Sequence, residues 1–205
     1  MSLIIRGETP VIPHKWSAKA KRLMPGYVDP VTEQAPDKLT KKGDRTPQQE
    51  AEDCVYRLAD GRPGLPATAF KAAMVGACRF FDKPSMTEAK LLFFVEGEGP
   101  EQLVPIEGEP HMREDMPRNA NGVADLRYRT AFWPWSATLT VRYVSSSISA
   151  ASVAALIDAA GRVGVGDWRP GSPKSGTGTF GQFRIVRDDA ELAEVQAPEA
   201  GSEIL

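Results

Sequence analysis

The chain has 205 residues, 41% of them apolar, with 18 glycines, 17 prolines and two cysteines. That is enough for a real core with long connections, and it contains no apolar run of membrane-spanning length. The formal charge of -2 is unevenly spread: residues 188–205 hold six acids and no Lys or Arg, which leaves 25 basic against 21 acidic side chains, about +4, on the remainder. Cys54 and Cys78 make neither a disulfide framework nor a metal spacing. The N-terminus lacks the basic-then-apolar layout of a signal peptide. A cytoplasmic protein without metal or cofactor is expected.

In chain order, residues 2–6 (SLIIR) read as a strand, followed by a turn at Gly7 to Pro10. Lys15, Lys19, Lys21 and Arg22 beside Trp16 give a basic, aromatic segment that suits either a stacked single strand or a solvated amphipathic helix. Residues 25–50, proline-rich and charged, read as a mobile insertion. A short strand is expected at Cys54 to Arg57. From Phe70 the apolar positions 70, 73, 74, 77, 78 and 81 make one helical face, with Pro66 and Thr68 suited to its first turn. Thr68 and Lys71 lie near that helix N-terminus, where free amides favour an anion.

Strands are expected at 91–95 and 103–106, then a charged hairpin over about 107–129 that carries His111, Arg113, Arg118, Arg127 and Arg129. The aromatic run Phe132-Trp133-Pro134-Trp135 suits a stacking platform or a cap on the core. Residues 137–143 alternate as a half-buried strand does. A helix over 149–160, capped by Ser149 and stopped by Gly161, leads into the stretch 161–187, which holds seven glycines among Trp168, Arg169, Lys174, Phe180 and Arg184. Such a loop either turns main-chain amides toward a phosphate chain or is a flexible surface connection. The last strand is 182–186, and an acidic disordered tail over 188–205 is expected. The order of elements is βαββαβ, an α+β sheet of the ferredoxin-like or RRM-like kind, spanning 1–187 as one domain.

Three landmarks fall in sequence on this pattern: Leu65-Pro66-Ala67-Thr68-Ala69-Phe70-Lys71, the polar run Arg113 to Asn119 leading to Gly122, Ala124 and Arg127, and the glycine loop. Together they resemble the RAMP superfamily, in particular the backbone subunits that coat guide RNA in class 1 CRISPR effector complexes. Thr68 stands where that family usually has Ser, and the loop is longer than the family's compact form. The modest length points to a free-standing, phage-encoded relative.

The resemblance implies a protein that binds single-stranded RNA, in preference to DNA, without regard to sequence, and that assembles with copies of itself side by side into a filament. It places Thr68, Lys71, Arg113, Arg118 and Arg127 on the strand. From the loop it adds Lys174, Ser175, Gly176, Thr177, Gly178 and Gly181, and Trp168 and Arg169 join them as candidates by residue type. Two other readings stay open. One is a metal-independent ribonuclease using His111 or His14 as general acid or base. The other is a phage assembly protein that binds no nucleic acid.

Overall fold

The computed structural model describes residues 1–15, 46–116, 126–173 and 177–187. The elements in chain order are β1 (Ser2–Gly7), α1 (Pro47–Asp53), β2 (Tyr56–Arg57), β3 (Pro63–Pro66) and α2 (Ala67–Ala77). After a 3-10 turn at Cys78–Phe80 come α3 (Met86–Leu92), β4 (Phe93–Glu96), β5 (Leu103–Pro105), β6 (Glu107–Asp115), β7 (Arg127–Tyr143), α4 (Ala150–Val163) and β8 (Phe183–Ile185).

The main sheet runs β4-β7-β1-β8, with β6 also paired to β7, and every pairing is antiparallel. β1–α2–β4 and β7–α4–β8 are two split βαβ crossovers, so the chain is α+β with the strand order of a ferredoxin-like sheet. A smaller sheet, β2-β3-β5, is built from chain inserted between β1 and α2 and between β4 and β6.

One face of the main sheet is apolar because its strands alternate. Ile5 on β1, Leu139 and Val141 on β7, Phe93 on β4 and Phe183 on β8 are all buried. Against them α2 sets Phe70 and Met74, and α4 sets Val153, Leu156 and Ile157. Each such side chain contributes about 1.5–3 kcal/mol on burial. Phe70, Trp135 and Phe183 meet edge to face, with centroids 6.1 and 6.2 Å apart. Of the expected aromatic run, Phe132 and Trp135 belong to the core, and Trp133 is exposed.

Two helices were not foreseen. The end of the expected mobile insertion is helical: Thr46 and Gln49 form a reciprocal cap that starts α1. Leu91 and Leu92, expected in a strand, close α3, which Ser85 and Glu88 cap in the same way. α2 also stops short, so Phe81, expected on its buried face, is exposed.

Gly161 is where α4 crosses β8 with no room for a side chain, since a Cβ would fall on the Phe183 carbonyl oxygen. Gly161→Ala is therefore expected to lower stability by about 3 kcal/mol, read from urea unfolding. An unchanged midpoint would mean the two elements are not packed this closely.

Candidate nucleic-acid interface

Three stretches of chain converge at the base of the β6–β7 hairpin. Val11 exchanges main-chain hydrogen bonds with Phe132, which lays the segment after β1 along β7. The loop after α4 is then bonded to that segment: the Asp167 amide donates to the Ile12 carbonyl, and the Gly181 amide to that of Pro10. The Trp135 indole N–H donates to Thr9, and Thr130 Oγ1 donates to Ala51 of α1. The site is thus built by β7 and its neighbours, not by α2.

The glycines of this loop answer to the protein's own backbone. Gly164, Gly166 and Gly181 have φ of 75°, 77° and 67°, and a Cβ on Gly181 would fall on the Val165 carbonyl. Gly178 passes close over the carbonyl of Trp168. The amides of Val165, Gly171, Ser172 and Phe180 donate to Gly181, Val163, Arg169 and Trp168 within the same region. Most of the described loop amides therefore face the protein. The glycines permit a compact fold of the loop on itself.

Arg113 and Arg129 stand directly opposite each other on β6 and β7. Two like charges in that position repel, and Asp115 lies between them. Arg113 grips it through Nε (3.0 Å) and Nη2 (2.7 Å), and Arg129 Nη1 approaches it at 3.8 Å. The side chains of Arg129 and Asp115 are only 4% and 3% exposed.

Arg129 Nη1 also lies 3.0 Å from Asp167 Oδ2, and His14 Nδ1 lies 3.3 Å from the same oxygen. The Arg129 contact is a close ion pair, the His14 contact is one only when the imidazole is protonated, and neither is an aligned hydrogen bond. Burial raises the Asp167 carboxyl, but His14, Arg129 and the Trp168 amide together outweigh it and hold it below the usual carboxylate range. Burial likewise pushes the neighbouring Cys54 thiol up, against the opposing pull of Arg129.

Aromatic rings flank this charge cluster. The Arg113 guanidinium sits 4.6 Å from the Phe180 ring centre and 5.4 Å from that of Trp168, and Arg129 lies 5.0 Å from Trp168. Trp168 and Phe180 are themselves in contact at 5.8 Å. Trp168 adopts φ 53°, rare for a bulky side chain and the kind of local strain that clusters at functional sites.

Of the residues singled out by sequence, Arg113 and Trp168 are brought together here, with Gly178 and Gly181 shaping the loop. Arg127 is exposed on the hairpin opposite Asp115. Arg169 closes its own loop by donating to the Gly166 carbonyl, and Thr177 is exposed. Arg118, Lys174, Ser175 and Gly176 lie outside the described residues.

Thr68 is exposed on the first turn of α2, but Lys71 is engaged elsewhere. Its ammonium donates to the Lys90 carbonyl and sits 3.8 Å over the Phe94 ring, at the β4 edge of the sheet. The glycine loop runs into β8 at the opposite edge, so the two do not line one groove. His111 Nε2 meets the Trp133 carbonyl at 2.7 Å, and since a carbonyl only accepts, Nε2 carries the proton. Sequence reasoning passed over Asp115, Asp167 and Phe180 as site residues, and took Arg129 only as one of the hairpin arginines, although Arg127 and Arg129, two apart at the mouth of a long strand, already share one face.

Because its folded pKa is depressed, Asp167 contributes stability that is complete above its unfolded pKa and is lost as pH falls through the folded value. The stability gap between wild type and Asp167→Asn is expected to be widest at neutral pH and to close below about pH 4. A gap independent of pH, in urea melts, would contradict the ion pairs.

No family model matches this chain, and no curated protein does. Among solved structures, it is similar to a chain in a cryo-EM structure of the Type III-B Cmr-beta complex bound to cognate target RNA. The two are 10% identical with a TM-score of 0.46, over 91% of this chain and 58% of that one. This chain thus spans under two thirds of the length of that chain, and at such identity and score the likeness carries nothing about substrate or partners.

Proposed function

We propose that the protein binds single-stranded nucleic acid, RNA in preference to DNA, at the base of the β6–β7 hairpin and without regard to sequence. The observation that carries this reading is the Arg113 guanidinium laid against Phe180 and Trp168 where it is still 29% exposed. Aromatic faces stack on any base and cations hold any phosphate, so this pairing favours a strand of unspecified sequence. Arg127 adds to the same basic character on the hairpin, and the sequence carries two further cations, Arg118 and Lys174, in the adjoining segments. The RAMP resemblance of the sequence points the same way. It adds side-by-side assembly, which would cover the exposed side chains Phe80, Phe81, Met86, Leu91 and Phe94.

A second reading, RNA cleavage, is favoured by the position of His14. Asp167 holds its Nδ1 while the side chain remains 39% exposed. With Nε2 unprotonated, His14 would take the proton of a ribose 2′-hydroxyl, the 2′-oxygen would attack phosphorus, and the P–O5′ bond would break, the leaving 5′-oxygen taking a proton from water, to give a 2′,3′-cyclic phosphate and a 5′-hydroxyl.

Fluorescence anisotropy with labelled single-stranded RNA is expected to show binding that weakens steeply with salt. Arg118→Ala should flatten the logarithmic salt slope by about 0.7, the value for one phosphate contact on a single strand. Arg113→Lys, which keeps the charge but not the flat stacking surface, should weaken binding at every salt concentration. Failure to bind any oligonucleotide at low salt would end the proposal. Intact RNA after incubation with the wild type would end the second reading, whereas cleavage lost in His14→Ala would establish it.

A further inference from the structure

The outer edge of β7 has a gap. β4 pairs with it as far as Thr140 (opposite Glu96), and β6 resumes at Ser136 (opposite Glu107). Between them the chain leaves the main sheet to form β5 in the smaller one. Thr138, midway, therefore faces no strand on that side among the described residues.

Its main-chain groups point into this gap. The Val141 amide donates to Met1 on the β1 side, and that of Val144 donates to Leu92 on the β4 side. Main-chain groups alternate in direction along a strand, so those of Ser136, Thr138 and Thr140 face the β4–β6 side. The gap is about 13 Å long at the usual rise per residue. It opens into a groove of about 480 Å³ floored by Ile4 and Val104.

The groove's charge is negative. Glu96, Glu98 and Glu107 line it beside a single cation, Arg62, which Asp60 and Glu98 already hold at 2.7 Å each. Glu107 has no ion-pair partner among the described residues, and Glu96 is matched only by the exposed Arg142. Ser136 also lines the groove and is 7% exposed.

We infer that this groove is a docking site for an extended, lysine-bearing segment of a partner polypeptide. One residue of that segment bridges to Thr138 through both main-chain hydrogen bonds, the manner in which strand addition gives affinity. The flanking lysines lay their aliphatic stems on the half-buried Ile4 and set their ammonium groups against Glu107 and Glu96. A polyanion is repelled by the same carboxylates, so this site is separate from the hairpin base and does not rest on the RNA reading.

The test titrates the full chain with a short capped peptide that alternates lysine and valine, followed by the backbone amide signals in NMR. Shifts should concentrate at Gly97, Thr138 and Thr140. Glu107→Gln, a change at an exposed residue, should weaken binding about fivefold, and a peptide with glutamate in place of lysine should give no shifts. Binding untouched by Glu107→Gln, or shifts confined to residues 188–205, would overturn the assignment. So would 1,5-diaminopentane binding as well as the peptide, because the backbone bridge would then contribute nothing.

Discussion

Arg129 is a guanidinium almost wholly removed from water, and the arrangement of the hairpin base follows from the need to compensate it. A buried charge is tolerated only when paired, and taking away one partner of such a pair costs about 3–5 kcal/mol. Two carboxylates meet the requirement from different parts of the chain: Asp115 from β6 and Asp167 from the loop after α4. Asp167 in turn holds His14 from the segment after β1. One cation therefore fixes three stretches that share no local sequence. The left-handed backbone of Trp168, the residue after Asp167, is compatible with this because its indole lies against Arg113 and Arg129.

The molecule separates its charges by place. Cations and aromatic rings gather where the hairpin meets the glycine loop, and carboxylates gather around the gap in β7. On the proposed reading, a phosphate chain is received at the first and repelled at the second. This differs from the simplest expectation for an RRM-like sheet, in which the uncovered face takes the strand. Here part of that face is a groove rimmed by Glu96, Glu98 and Glu107.

Much of the frame was legible in the sequence. The apolar spacing from Phe70, the alternation over 137–143 and the Ser149 cap each reflect a local rule that the tertiary structure does not override. The caps of α1 and α3 were equally local, but Thr46-Pro47-Gln48-Gln49 sat in a stretch whose prolines and charges suggested no structure. The site was harder, for a physical reason. A glycine reports only that a side chain is not tolerated, not whether a ligand or the chain itself approaches. At Gly161, Gly178 and Gly181 it is the chain. Arg129 was unremarkable among the nine charged residues of 107–129, because burial of a cation depends on partners far away in sequence. Lys71 misled in the opposite sense: its place in the first turns of α2 suited an anion, yet its side chain reaches to Lys90 and Phe94.

The central claim is that a single strand is received at the hairpin base and not on the acidic sheet face. Ultraviolet crosslinking of the protein to single-stranded RNA, with the attachment points located by mass spectrometry, tests it most directly. The account predicts crosslinks at Trp168, Phe180 and the hairpin residues around Arg113. Crosslinks centred on Ile4, Thr138 and Thr140 would contradict it.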